Sequence, residues 1–147
     1  MTGTYTCETP DDTFALGERV GAQLQPGDVL LLKGGLGAGK TLLTKGILNA
    51  LDFDIDEVTS PSFTLVNLYH TPTFDVYHID LWRLDETSDV ASAVGLEEIL
   101  AEENRVSIIE WSEKLRRFPH SGRIIEISIA GDGDDPRTIE MKSKPTA

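Results

Sequence analysis

The chain has 147 residues, enough for one hydrophobic core and too few for two. A formal net charge of −12 and a pI of about 4.5 disfavour direct, tight binding of tRNA or DNA, because such a surface lacks the cations that displace phosphate counterions. One cysteine, Cys7, leaves no internal disulfide, and no apolar stretch is long enough to be a membrane span or a leader core, so a soluble, cytoplasmic protein is expected.

Residues 4–7 read as a short strand. Thr9-Pro10-Asp11-Asp12 then predicts a helix start, with Thr9 as the N-cap, proline at the first helical position and an acid at the third. That helix is expected to run to about Leu24, carrying Ala15, Leu16, Val20 and Leu24 on or near one face, and to end at Gln25-Pro26-Gly27. The apolar run 28–33 reads as a buried strand. Gly34-Gly35-Leu36-Gly37-Ala38-Gly39-Lys40-Thr41 follows, and Leu42 opens a helix that extends to Leu51.

This is G-x-x-x-x-G-K-T between a strand and a helix, the context a phosphate-binding P-loop requires. Glycine lets backbone N–H groups wrap a phosphate chain, and the helix start adds the positive end of its dipole. Gly35, Leu36, Gly37, Ala38, Gly39, Lys40, Thr41 and Leu42 are therefore the candidate nucleotide-binding residues. Lys40 is expected on the β- and γ-phosphates, and the Thr41 hydroxyl on Mg²⁺.

Beyond an acidic loop at 52–56, the block Val58-Thr59-Ser60-Pro61-Ser62-Phe63-Thr64-Leu65-Val66-Asn67-Leu68-Tyr69 begins rich in hydroxyls and ends with strand alternation. Its first part lies where P-loop proteins often keep a γ-phosphate sensor, although an ordinary turn explains the same pattern. Residues 73–81 alternate again and predict an antiparallel partner, with Tyr77, Ile79 and Leu81 on one face and His78 and Asp80 on the other. His78 reads as a packing or hydrogen-bonding residue of the sheet rather than a metal ligand. Residues 85–103 read as a helix interrupted at Gly95 and capped by Asn104. Residues 106–111 form a short apolar strand ending in Glu110. Strands at 123–129 and 137–142 flank a Gly-Asp-rich turn, and 143–147 are expected to be a flexible tail. The order indicates one α/β domain of P-loop NTPase type, three-layered, with a mixed sheet: parallel at the P-loop, with antiparallel additions.

Hydrolysis needs an acid near the cation and a group that positions water. Two strand-end carboxylates compete for these roles, Asp80 and Glu110, and at least one is expected to hold Mg²⁺ or orient the water. Trp82 and Trp111 follow these acids closely and are placed at the rim of the site.

Together these blocks resemble the bacterial TsaE (YjeE) family of ATPases in tRNA threonylcarbamoyladenosine biosynthesis, over nearly the whole chain. Ser60-Pro61-Ser62-Phe63-Thr64-Leu65-Val66 and Tyr77-His78-Ile79-Asp80-Leu81-Trp82-Arg83-Leu84 are the specific segments; Gly95-Leu96-Glu97-Glu98-Ile99-Leu100 and Ile108-Ile109-Glu110-Trp111 support them. The resemblance implies binding of ATP with Mg²⁺, with Lys40, Asp80 and Glu110 as catalytic residues and Thr41 and Glu110 on the metal. It also implies that Arg137 and the helix start at Thr9 lie near the nucleotide. The implied partners are the threonylcarbamoyl transferase TsaD and its paralogue TsaB, with tRNA only indirectly involved. Departures from the family pattern are Gly35 where Asp is usual, Ser62 for Thr, Phe63 for Tyr and Trp82 for Tyr. Two other readings share the P-loop: a small-molecule kinase, and a nucleotide-dependent binding switch. The absence of an Asn-Lys-x-Asp signature favours ATP over GTP.

Overall fold

The computed structural model describes residues 2–35, 39–61, 64–84, 94–115, 122–131 and 136–146. Their elements, in chain order, are β1 (Gly3–Cys7), α1 (Pro10–Gly21), β2 (Val29–Lys33), α2 (Lys40–Ala50), β3 (Val66–His70), β4 (Asp75–Asp80), α3 (Leu96–Ala101), β5 (Arg105–Glu110), β6 (Gly122–Ala130) and β7 (Arg137–Thr146). Expectations for Leu36, Gly37, Ala38, Ser62, Phe63 and residues 85–93 of the interrupted helix lie outside the described residues.

All seven strands form one sheet, in the order β1-β7-β6-β2-β5-β4-β3. The central four, β6, β2, β5 and β4, are parallel, while β3 and the β7–β1 pair join antiparallel at the flanks. The mixed α/β sheet expected from the sequence is therefore present. Val29, Leu30, Leu31 and Leu32 of β2 are all buried, as befits a central parallel strand covered on both faces. Period-2 alternation then divides the core. Leu30, Leu32, Ile108 and Ile127 pack under α1 and α2 with Leu16, Val20, Leu43 and Ile47, and Val29, Leu31, Ile79 and Ile109 pack with Leu96 and Ile99 of α3.

Helices α1 and α2 cross at glycines. A Cβ on Gly17 would stand 2.4 Å from the Leu43 carbonyl oxygen, and one on Gly46 would stand 2.2 Å from that of Phe14. Backbone therefore meets backbone, which fixes the start of α1 beside the start of α2. At the opposite end of the sheet, the Asp28 carboxylate accepts hydrogen bonds from Arg123 at 2.6 and 3.1 Å. The Asp28 carbonyl accepts from Arg105 and from the Ser107 amide, tying β2 to β5.

Most boundaries shift by one or two residues from the sequence reading, and three differences have an evident cause. Helix α1 stops at Gly21 rather than Leu24, because the Gln23 and Leu24 amides bond three residues back in tightened turns. Helix α3 ends at Ala101 with Glu102 as its cap, while Asn104 instead donates from its side chain to the Thr73 carbonyl. The expected tail from 143 is strand as far as Thr146, paired with β6 up to Gly122. Pro145 lies beyond the last residue that β1 pairs, Met141, where β7 is an edge and proline costs no ladder bond on that side. Among the described residues, no helix is long and apolar enough to cross a membrane.

Candidate nucleotide site

The carboxyl ends of β2, β4 and β5 lie at one edge of the sheet, where open α/β sheets form their binding crevices. The starts of α1 and α2 are at the same edge, as is the start of β7, because Cys7 at the end of β1 pairs with Arg137. The candidate residues from separate parts of the sequence therefore converge there.

The two long helices begin differently. Helix α1 satisfies its own start: the Thr9 hydroxyl accepts from the Asp12 amide at 3.2 Å, the Asp12 carboxylate accepts from the Thr9 amide, and Asp11 and Asp12 offset the dipole. Helix α2 has none of these devices. Gly39 caps it in a left-handed conformation at φ 102°, without a side-chain hydrogen bond, and no acid stands in the first turn. A helix start without a side-chain cap or a first-turn acid is one that suits an anion. A Cβ on Gly39 would stand 3.9 Å from Arg137 Nε and 4.0 Å from the Thr13 methyl, so the guanidinium borders the helix start. The hydroxyl of Thr9 is engaged in its cap, and the neighbour α1 presents to Gly39 is Thr13. Gly35 is exposed with open space where a Cβ would be, so its backbone does not require glycine for room.

Lys40 is the first residue of α2 and Thr41 the second; Thr41 and Leu42 are half-buried. Lys40 is itself buried, with Nζ 3.4 Å from Glu110 Oε1 and 4.7 Å from the centre of the Trp111 ring. The other Glu110 oxygen, Oε2, accepts from His78 Nε2 at 2.5 Å. Burial raises the Glu110 carboxyl, but the hydrogen bond and charge of His78 and the nearby Lys40 ammonium outweigh it, holding Glu110 below the usual glutamate range. Glu110 is thus a buried carboxylate with both oxygens engaged.

Asp80 and Glu110 are Cα partners on adjacent parallel strands, so both carboxylates project from the same face. Asp80 is buried, and its Oδ1 accepts from the Trp82 amide at 2.9 Å. Its own amide donates to the carbonyl of Leu65, which sits at φ 67°, and Trp111, just after Glu110, sits at φ 63°. Left-handed backbone is strained for bulky side chains, and here it borders both acids. The Trp82 and Trp111 rings meet tilted at 43°, with centroids 4.7 Å apart, and Trp82 remains exposed. In the hydroxyl-rich block, Asn67 donates to the Thr59 carbonyl, the Thr59 hydroxyl and Tyr69, while accepting from Thr64. These bonds anchor both ends of the segment.

The donor set suits Mg²⁺. The Thr41 hydroxyl and the Glu110 and Asp80 carboxylates are hard oxygen donors. Among the described residues no three His, Cys, Asp or Glu side chains converge as a complete cage. The Glu110 contacts of His78 and Lys40 were not legible locally. The signal that could have found them is the i, i+2 relation of His78 to Asp80, combined with the β4–β5 adjacency.

Comparison with known proteins supports the resemblance. The family model described as threonylcarbamoyl adenosine biosynthesis protein TsaE matches residues 7–139. Proteins named tRNA threonylcarbamoyladenosine biosynthesis protein TsaE are similar throughout. The one from Bacillus subtilis is 35% identical over 88% of this chain and 78% of its own length. The one from Rickettsia bellii is 33% identical over 91% and 90%, and the one from Mycobacterium leprae 43% over 77% and 73%. The crystal structure of Bacillus subtilis YdiB superposes with a TM-score of 0.70 at 31% identity, covering 99% of this chain and 87% of that one. With the P-loop context, the two strand-end acids and these matches in agreement, the chain belongs to the TsaE family.

Proposed function

We propose that this protein is a P-loop ATPase that serves tRNA threonylcarbamoyladenosine biosynthesis. The observation that carries the reading is the uncapped, acid-free start of α2, with Lys40 held beside the Glu110–Asp80 pair at one sheet edge. The helix start and Lys40 bind the phosphates, and Lys40 exchanges its contact with Glu110 for the β- and γ-phosphates. Thr41 and Glu110 would hold Mg²⁺, which supplies charge neutralisation on the phosphates. Asp80 orients the attacking water, and Arg137 adds positive charge beside Gly39. The tryptophan pair and the Thr59–Asn67 network form the rim through which the nucleotide state is read by a partner.

The partners are the TsaD and TsaB-like transferase proteins that the family resemblance implies, with tRNA engaged through them, consistent with the strong negative charge. The test is ATP hydrolysis and pull-down with the purified transferase pair, with and without nucleotide. Slow hydrolysis alone, with stimulation or stable association when the pair is added, is the expected result. Failure to associate in either state, together with phosphoryl transfer to a small metabolite, would replace this reading with the kinase one.

A further inference from the structure

We infer that His78 is a positioning residue of the nucleotide site, holding the Glu110 carboxylate in orientation when Lys40 leaves it. The inference rests on the ATPase reading above. His78 is fully buried in β4, two residues before Asp80 and on the same face. Its Nε2 donates to Glu110 Oε2, and its Nδ1 has no hydrogen-bond partner among the described residues. Among the described residues the contact with Glu110 is therefore the one polar engagement of this imidazole, in a place where an aliphatic side chain would satisfy packing without burying an unpaired nitrogen.

The geometry gives the two partners of Glu110 different futures. Lys40 sits at the mouth of the helix start, and its ammonium is the group that phosphate attracts. Once it turns, Oε1 loses its partner. His78 is fixed in the middle of a sheet, between β3 and β5, and its backbone cannot follow Lys40. By keeping Oε2, it leaves Oε1, the oxygen that faces Lys40 at the α2 start, as the one that can change partner. One strand thus sets both acids: Asp80 directly, and Glu110 through His78. Groups that orient a metal-binding carboxylate from behind typically govern metal affinity more than ligand affinity at large.

The experiment is calorimetric titration of ATP at a series of Mg²⁺ concentrations and in chelator, for the native chain, His78→Leu and His78→Gln. Leucine keeps bulk and removes the donor; glutamine can place an N–H near the Nε2 position. His78→Leu is expected to need about 10- to 100-fold more Mg²⁺ for tight ATP binding, with chelator-state binding unchanged and His78→Gln largely restored. An unchanged Mg²⁺ requirement in His78→Leu overturns the inference, as does an equal loss with and without Mg²⁺, the mark of a purely structural role. A native chain that binds no ATP with Mg²⁺ sinks the ATPase reading itself, and the inference with it. A measurement on the native chain covers the case in which His78→Leu does not fold. In nitrogen-15 histidine spectra, the His78 Nε2–H signal should persist, hydrogen-bonded, when ATP and Mg²⁺ are added. Its loss on loading would show that His78 lets go of Glu110.

Discussion

At the residue scale, the candidate site is a set of buried charges that hold one another: Lys40 and His78 each engage one oxygen of Glu110. Lys40 is buried against a carboxylate and an indole face, so the protein holds its ammonium desolvated at the helix start. Lys40→Ala removes a charge-assisted bond to phosphate, and titration with ATP and Mg²⁺ should show binding weakened by about 10- to 100-fold, the equivalent of about 1.5–3 kcal/mol. Unchanged affinity would sink the P-loop assignment. The two acids separate by role. Asp80→Ala should lower the hydrolysis rate more than it lowers nucleotide affinity, and Glu110→Ala should raise the Mg²⁺ requirement. Normal kinetics in both variants would end the two-acid scheme. A third prediction concerns Tyr77, whose hydroxyl donates to both oxygens of Glu102 at 2.9 and 2.8 Å. Burial, then the hydrogen bond and charge of Glu102, push its phenol up to about 12 from an ordinary 10. The folded state therefore holds the phenolic proton more tightly than the unfolded chain does. Its contribution to stability is complete below pH 10 and is lost as pH rises from 10 toward 12. Denaturant midpoints across that range should fall more steeply for the native chain than for Tyr77→Phe; parallel slopes would contradict the assignment.

At the element scale, the relation between α1 and α2 carries the site, and it depends on glycine where nothing larger fits. Gly46→Ala would place a methyl within 2.2 Å of a backbone oxygen on α1. Because the obstacle is backbone rather than a movable side chain, the helices must part. The expected loss is about 1–3 kcal/mol of unfolding free energy, read from urea midpoints. Separation should also draw Thr13 away from Gly39 and weaken nucleotide binding, so an unaffected variant would show that the crossing is not the constraint. This packing also explains how much the sequence could reveal. The strand before the P-loop, the helix after it and the capping box at Thr9 are local signals, each contained in a few consecutive residues, and the structure has them within two residues of where the sequence placed them. The role of Gly17 and Gly46 is non-local, since each glycine is explained only by the helix that crosses it. The Glu110–His78 bond is non-local too, because it follows from β4 and β5 being neighbours. The end of the chain shows the same limit: Ser143, Lys144, Pro145 and Thr146 have the composition of a tail. They become strand because β6 offers a ladder out to Gly122.

At the scale of the whole molecule, the candidate site exists only in the folded chain. Its groups come from β1–α1, α2, β4, β5 and the start of β7, brought to one edge by a strand order that places β5 beside β2 and β4. The unfolded chain has no counterpart, so a ligand of this site binds the native state alone and must stabilise the molecule globally by mass action. At a free ATP concentration of about 100 times its dissociation constant, with Mg²⁺ present, the added stability is about 2.7 kcal/mol. For a chain of this size that corresponds to a rise in midpoint temperature of about 5–10 °C. The same ligand should do little for Lys40→Ala, which keeps the fold but loses the phosphate contact. Salt provides the complementary check. The chain is strongly acidic, and ATP with Mg²⁺ is still an anion, so binding has to come from the local field of the α2 start, Lys40 and Arg137 against a repulsive molecular background. Moderate salt screens that long-range repulsion more than it screens the buried contacts. Thermal scans at low and physiological ionic strength, with ligand held at fixed concentration, should therefore show a ligand-induced shift that survives added salt. A shift that vanishes with salt, or one that Lys40→Ala retains in full, would locate the nucleotide on the surface rather than at the P-loop.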